Sequence, residues 1–384
     1  MSALDLLYSD TNKRLCPLCV TEFYPGDCRI LSRITGKELK PAPTGRLERQ
    51  RARRNPESLV GPRYVNELAC RECPHCGYPL PYNIESVENK SVVVVGDTYA
   101  GKSHYLAALI HQIEAGQMQS PHQYTRFVCL TNDVRQSYTT DYLDRLFNKK
   151  QVISATQPAD PTRPNKPLIY ELTIKKSQSH LPKRINLILY DASGEDYAAQ
   201  ERLVQYGRYV LNASAIIFLA DPVSMANILD RLPPHLQNQP ATARKSAEVL
   251  SSVLQLFERY LGVQAGSRLV RMPIAITLSK SDLLKYLRGI NNPYRFLTNP
   301  SYGYTGGVDL HDLRIIDQEV QQLIYEFGDR TLLQTTQNLN TQFFAVSATG
   351  YSPTINGTYP AVEPRRCLDP VLWALQKLRI IDAR

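Results

Sequence analysis

The chain has 384 residues, 43% of them hydrophobic, with 45 basic against 36 acidic side chains and a formal charge of +9. It can bury one large core or two smaller ones, and no run of about eighteen apolar residues occurs, which excludes a membrane-spanning helix. The opening MSALDLLYSD carries two aspartates in place of the basic-then-apolar pattern of a secretory signal, so a cytoplasmic protein is expected.

Cysteines occur at positions 16, 19, 28, 70, 73, 76, 129 and 367, six of the eight in the first fifth of the chain. In a reducing compartment such a cluster points to metal before disulfides. Cys16-Pro17-Leu18-Cys19 and Cys73-Pro74-His75-Cys76 are two knuckles, each placing two thiolates on a tight turn, and together they supply the four soft ligands of a closed tetrahedral Zn²⁺ site. Four thiolates leave no position open for a substrate, so the metal is expected to be structural. Cys70 could pair with Cys73 or Cys76 instead, which leaves Cys28 and Cys70 as spare thiols or an additional pair. Residues 1–85 are predicted to form this zinc-binding unit. The long insertion between its knuckles carries Arg46, Arg49, Arg51, Arg53 and Arg54. That run can track a nucleic-acid backbone or an acidic partner, or can be a solvated loop.

Residues 88–384 alternate strand-like and helix-like segments, which predicts an α/β domain with a mostly parallel sheet. Its first strand, Ser91–Val95, is a β-branched run suited to burial on both faces. It leads into Gly96-Asp97-Thr98-Tyr99-Ala100-Gly101-Lys102-Ser103, a complete G-x-x-x-x-G-K-[ST] (Walker A) phosphate-binding loop, and then into a helical pattern. The glycines allow successive N–H groups to face phosphate oxygens. The helix start adds its positive end, Lys102 would neutralise the β- and γ-phosphates, and the Ser103 hydroxyl would ligate Mg²⁺.

Residues 131–167 show no sustained period and are expected to be irregular. Leu168–Ile174 and Ile185–Tyr190 predict two strands, the second ending at Asp191-Ala192-Ser193-Gly194. A carboxylate at that strand end can hold Mg²⁺ through water, and the Gly194 N–H can meet a γ-phosphate. Buried strands follow at Ser214–Ala220, Met272–Leu278 and Phe343–Val346, with a long amphipathic helix over Ser246–Leu261. The third of these strands leads into Ser347-Ala348-Thr349, and the second into Ser279-Lys280-Ser281-Asp282. Cys129 is expected to be a small core residue. Cys367 follows Arg365 and Arg366, which favour a lowered pKa, but no base or second ligand stands near it in sequence.

In this order the phosphate loop, Asp191-x-x-Gly194, Ser279-Lys280-Ser281-Asp282 and Ser347-Ala348-Thr349 resemble the GTP-binding motifs of the Ras-like, translation-factor-related P-loop GTPases. With the cysteine knuckles in front, the chain is similar to the zinc-ribbon-bearing members of the prokaryotic double-GTPase families, which are predicted to work in pairs in conflict or signalling systems. The resemblance implies that Asp282 accepts from guanine N1 and the exocyclic amine, that Lys280 packs along the base, and that the Ala348 N–H reaches the guanine oxygen. Adenine offers a carboxylate only one amine, which gives this pairing its physical basis. Ser279 departs from the usual Asn or Thr. Glu195 stands where the family has a water-orienting glutamine, which implies slow hydrolysis, and Asp196 could compensate. Thr156 is the first choice for the switch threonine over Mg²⁺, and Thr162 the second.

The resemblance thus implies a GTP/GDP-binding switch and hydrolase with Mg²⁺ and Zn²⁺, whose zinc unit docks a protein partner, either a second GTPase or an activating protein. Two other readings stay open: an ATP-using P-loop enzyme, and a nucleic-acid-binding adaptor acting through Arg46–Arg54.

Overall fold

A computed structural model describes residues 13–59, 63–97, 99–118, 123–153, 166–176, 182–191, 207–237, 245–289, 294–299 and 308–383. Two small sheets come first. Strands β1 (Arg14–Leu15) and β2 (Glu22–Phe23) pair antiparallel, and β3 (Ile30–Ser32) lies between β4 (Glu38–Lys40) and β5 (Ala69–Arg71). The arginine run is no loop: Arg46–Arg54 is a helix, α1, with no buried residue. Its anchor is Arg53, whose guanidinium donates to both Asp27 carboxylate oxygens at 2.6–3.0 Å and lies 4.4 Å from the Tyr24 ring centroid.

The main sheet has seven strands. In chain order they are β6 (Glu88–Gly96), β7 (Gln123–Cys129), β8 (Leu168–Lys176), β9 (Lys183–Asp191), β10 (Ala215–Ala220), β11 (Ile274–Leu278) and β12 (Thr341–Ala345), and in space they run β12-β11-β10-β6-β9-β8-β7. Strand β8 meets β9 antiparallel, because the connection between them is too short for a crossover, and β7 pairs antiparallel with β8 at the edge. The other five strands are parallel. The valine run sits at the centre of the sheet: Val93 and Val95 enter the core on one face, Val92 and Val94 the core on the other, all four fully buried. Strand alternation therefore makes both sides of β6 apolar, and helices cover both. Helix α2 (Lys102–Glu114) packs on the Val92 side, and α4 (Ser246–Leu261) on the Val93 side.

Residues 132–148 depart from the expectation of irregular chain, while residues 154–165 lie outside the described residues. Asn132–Tyr138 is helix α3, and Thr139–Asn148 continues it as a π-helical stretch. Tyr138, Tyr142, Leu143, Leu146 and Phe147 recur at helical spacing and turn inward, with Leu146 fully buried, while charged neighbours interrupt the pattern in sequence. The remaining major helices are α5 (Gln264–Arg271), α6 (Leu310–Phe327), α7 (Arg330–Thr335) and α8 (Asp369–Lys377), the last burying Trp373.

The N-terminal unit is not held at a distance by a linker. Cys16, Phe23, Cys28, Cys73, Tyr78, Leu80 and Ile84 belong to the same apolar cluster as Val93, Val95, Ile188 and Tyr190. The buried Asn83 side chain adds donors to Glu171 of β8 at 2.6 Å and to Asn186 of β9 at 2.9 Å. Among the described residues no helix is long and apolar enough to cross a membrane.

Candidate functional site

Register sets the site. Gly96 pairs with Leu219, Asp191 with Val94, Ala220 with Leu278, and Leu278 with Ala345. Strands β6, β10, β11 and β12 therefore end within a residue of one another and β9 two residues short, and all but β10 are followed or closed there by a residue of the sequence motifs. Strand β6 lies between β9 and β10, and a switch in strand order of this kind places a crevice at the carboxyl ends.

The phosphate loop fills the centre of that edge. A Cβ on Gly96 would lie 2.6 Å from the Leu219 carbonyl oxygen, so only glycine lets the loop start this close to β10. Gly101 has φ +81°, a left-handed conformation, and turns the chain directly into α2. The buried Lys102 ammonium donates to the Gly96 and Asp97 carbonyls at 3.0 and 2.6 Å, which holds it over the middle of the loop. Ser103 is buried beside it in the first turn, Ala100 is buried beneath, and Tyr99 is exposed at the loop tip. Thr98 lies outside the described residues.

The second half of the crevice is built from the two downstream motifs. The Ser347 hydroxyl donates to Asp282 Oδ1 at 2.6 Å and accepts from the Gly350 N–H at 2.8 Å. Asp282, Ser347, Ser279 and Ser281 are all buried. The Ser281 N–H donates to the Val346 carbonyl at 3.0 Å, which splices the two loops together. Ala348, half-buried next to Ser347, is packed at the edge of the core. Lys280 takes a left-handed turn at φ 50°, and its ammonium pairs with Asp221 at 2.5 Å. Ser279 N–H and hydroxyl both donate to the Ala220 carbonyl, at 3.0 and 3.3 Å, so this serine is spent on holding β10 to β11.

Sequence reasoning missed three contributors. Asp221 anchors Lys280 and caps the turn after β10 through the Val223 N–H at 3.0 Å. A signal existed, since an apolar strand followed at once by Asp repeats the pattern of Asp191. His104 and Tyr359 had none. The half-buried His104 Nε2 accepts from the Ile153 N–H at 3.2 Å and lies 3.3 Å from the Tyr359 hydroxyl. Burial, reinforced by the Lys280 charge, lowers the His104 pKa to about 4. Tyr359 is pushed up to about 12 by burial and by the Asp282 charge. Tyr359 and Lys150 are bonded backbone to backbone, as are Val152 and Gly357, so the chain leading to residue 154 is fastened to the loop behind Ser347. Thr156, Thr162, Gly194, Glu195 and Asp196 lie outside the described residues, as does the side chain of Asp191.

The four knuckle thiols converge. Sγ of Cys16, Cys19, Cys73 and Cys76 all lie within 4.8 Å of one another, with Cys16–Cys76 and Cys19–Cys73 both at 3.8 Å. A tetrahedron of sulfurs about 2.3 Å from a Zn²⁺ ion has edges of about 3.8 Å, so the donor set fits that ion. Cys28 and Cys70 are buried and outside this cluster, and burial pushes Cys28 up to about 12. Cys129 is half-buried in β7. Cys367 corrects the expectation of a lowered pKa: fully buried, it is pushed up by desolvation, and its thiol donates to the Ser347 carbonyl at 3.3 Å.

A protein of Mycolicibacterium smegmatis described as "Putative ESX-1 scaffolding and assembly protein SaeC" is 27% identical over 377 residues, covering 91% of this chain and 88% of that one. Among solved structures, the signal recognition particle receptor SRb-GTP/SRX complex from Chaetomium thermophilum aligns at 15% identity over 70% of this chain and 94% of that one, with a TM-score of 0.29. The family model described as "Double-GTPase 2" matches residues 90–336, which take in the phosphate loop, Asp191 and the Ser279–Asp282 motif, and the chain belongs to that family.

Proposed function

We propose that the protein is a guanine-nucleotide switch that binds GTP and GDP and hydrolyses GTP slowly. One observation carries the guanine assignment. Asp282 is buried, oriented by the Ser347 hydroxyl at 2.6 Å, and flanked by the Lys280–Asp221 pair on the same sheet edge as the phosphate loop. A fixed carboxylate can accept from both donors of guanine, Lys280 lies along the base, and the Ala348 N–H faces the guanine oxygen.

In this reading Gly96 to Ser103 wrap the phosphates, and Lys102 exchanges loop carbonyls for β- and γ-oxygens. Ser103, Asp191 and Thr156 are the residues that would hold Mg²⁺, which would neutralise the charge developing on the phosphates. Gly194 offers its N–H to the γ-phosphate, and Glu195 orients water. A carboxylate at that position accepts but cannot donate, and it brings negative charge near the phosphate, hence the slow rate. Residues 88–384 form the nucleotide domain and residues 1–85 a zinc unit of structural character. The unpaired thiols fit a cytoplasmic setting.

The resemblance of the chain to a protein described in scaffolding and assembly terms supports a protein partner, such as a second GTPase or an activating protein. A second reading, contact with nucleic acid, is favoured only by the exposure of Arg46, Arg49, Arg51 and Arg54 on α1. It requires an affinity for DNA or RNA that falls steeply with salt and disappears when those four are neutralised.

Calorimetry with GTP, GDP and ATP in the presence of Mg²⁺ tests the main proposal. Guanine nucleotides should bind far more tightly than ATP, and Asp282→Asn should abolish the preference while Lys102→Ala removes binding of both. Equal affinity for ATP would overturn the guanine assignment in favour of an ATP-using enzyme.

A further inference from the structure

Residues 363–367 run beside the loop that follows β12, and the two are joined as a short antiparallel pair. The Ser347 N–H donates to the Arg365 carbonyl at 3.0 Å, the Arg365 N–H returns to the Ser347 carbonyl at 2.7 Å, and the Glu363 N–H donates to the Thr349 carbonyl at 2.8 Å. The Ser347 carbonyl also accepts from the buried Cys367 thiol at 3.3 Å. Gly350 closes the contact. It has φ +75°, and a Cβ there would lie 2.5 Å from the Glu363 carbonyl oxygen, so the loop presses on this segment more closely than any side chain allows. In an antiparallel pair the bonded residues alternate with residues whose N–H and carbonyl point away from the partner strand. Ala348 is the residue in between, and among the described residues its N–H and carbonyl have no hydrogen-bond partner.

Arg366 holds the segment in place. Its backbone is left-handed at φ 54°, a conformation that a non-glycine residue keeps only where its surroundings over-determine it. The surroundings here are three separate elements. The buried guanidinium bonds to Asp312 in the first turn of α6, to Asp369 at the start of α8 at 2.7 Å, and to the Asn299 carbonyl at 3.2 Å. The Asp369 N–H donates back to the Arg366 carbonyl at 3.1 Å. Residues on either side of this bolt, Arg365 and Cys367, are the two that bond the Ser347 carbonyl. Ser347 in turn gives its hydroxyl to Asp282.

We propose that Arg366 and Cys367 set specificity at the oxygen edge of the base: with Arg365 and Glu363 they pin Ser347 and Thr349 from behind, and so hold the intervening Ala348 N–H toward the guanine oxygen. This rests on the guanine-nucleotide reading above and adds a second layer to it. Arg366 and Cys367 are positioning residues, since neither touches nucleotide. An N–H fixed in this way rewards a carbonyl oxygen at one distance, whereas a loop free to shift accepts other atoms there.

Competition against a fluorescent guanine nucleotide, on the full chain, compares GDP with the diphosphate of thioguanosine. In the latter a sulfur, larger and a poor acceptor, replaces the guanine oxygen, while the two donors that face Asp282 stay. Sugar and phosphates are the same in both, so the ratio of affinities depends neither on the phosphate loop nor on the fraction of protein that is folded. The parent should prefer GDP by about fivefold or more, the scale of one ordinary hydrogen bond. Arg366→Lys keeps the charge but loses the fork that reaches Asp312 and Asp369 together, and its ratio should fall to within about twofold. Cys367→Ala leaves the ion cluster intact and keeps the test open if the lysine variant does not fold. Its ratio should be about half that of the parent, and Cys367→Ser, whose hydroxyl donates to the same carbonyl, should restore it. Variants that keep the parent's ratio overturn the positioning role and leave the guanine reading intact. A parent that prefers GDP to ADP but does not distinguish the sulfur compound overturns it as well, and assigns base selectivity to Asp282 alone. A parent with no preference for GDP over ADP overturns both readings.

Discussion

Ser347 and Asp282 lie 65 positions apart and share a hydrogen bond of 2.6 Å between buried side chains. The bond exists because β12 continues the register of β11, so that the loops after both strands meet and the Ser281 N–H reaches Val346. Ser347 donates to the carboxylate and accepts from Gly350, which leaves its hydrogen pointing one way only. A carboxylate oriented in this manner binds a planar partner without first losing rotamer freedom.

Ser347→Ala therefore removes an orienting donor and leaves the Gly350 N–H short of an acceptor. A hydrogen bond to a charged group is worth roughly 1.5–3 kcal/mol. Guanine-nucleotide affinity should fall about tenfold or more, while affinity for inorganic phosphate at the loop stays unchanged. Fluorescent-nucleotide titration reads the first and competition by phosphate the second.

Gly96→Ala is a test of the close approach between β6 and β10. Its methyl group would meet the Leu219 carbonyl at 2.6 Å and the Ala100 side chain at 3.1 Å, and neither backbone can yield without opening the sheet. Overpacking of this kind costs about 1–3 kcal/mol. The variant should unfold at lower denaturant concentration than the parent and lose nucleotide binding, whereas Gly45→Ala, in open space but for Glu48 Cβ at 4.0 Å, should do neither.

His104 makes a pH prediction. Its pKa in the folded chain is lowered to about 4, chiefly by burial, below the ordinary imidazole value of about 6.5. Between these values the unfolded chain binds a proton that the folded chain does not, so stability is fully present above about 6.5 and is lost as pH falls toward 4. The loss is on the order of 3 kcal/mol at its limit. Urea midpoints for the parent should decline over that window. In His104→Gln, which keeps an acceptor for the Ile153 N–H and adds no titrating group, the decline should be smaller. An equal slope in both proteins would assign the pH dependence elsewhere.

Arg366 is the most exposed to loss of a partner among the buried ions. It is almost inaccessible, and its guanidinium bonds to Asp312 and, at 2.7 Å, to Asp369. Desolvation pushes Asp369 up to about 6 in spite of the Arg366 charge, and the paired arginine lowers Asp312 against the same desolvation. Arg366→Met would bury two carboxylates with one cation, Arg295, left beside Asp312. A loss of about 3–5 kcal/mol is expected, read as a lower denaturation midpoint. Part of it should return when Asp369→Asn is added, because the remaining carboxylate then keeps Arg295.

What the sequence alone determined is what is local in the chain. The strand-to-helix turn at Gly96 to Ser103 could be read because strand, glycines, Lys102, Ser103 and helix are contiguous. Six of the seven strands were legible for the same reason, since apolar runs of β-branched residues have few other places to go, whereas the edge strand β7, QYTRFVC, is half polar and gave no such signal. The knuckles were readable because two thiols on a tight turn are a local device, whereas that the sulfurs of Cys16, Cys19, Cys73 and Cys76 converge, with Cys28 and Cys70 outside the cluster, depends on packing across the chain. Helix α3 and its π-helical continuation escaped because their apolar face is interrupted by charged residues that pattern reading cannot tell from loop.

Only the tertiary structure decided which polar groups face one another. That Lys280 finds Asp221, Asp282 finds Ser347, His104 receives the Ile153 N–H and Tyr190 reaches Pro17 depends on strand order and on which face of the sheet the N-terminal unit covers. A hydrogen bond needs its partners placed to a few tenths of an ångström. No period or spacing along the chain carries that information, because the positions are fixed by the packing of elements that are distant in sequence.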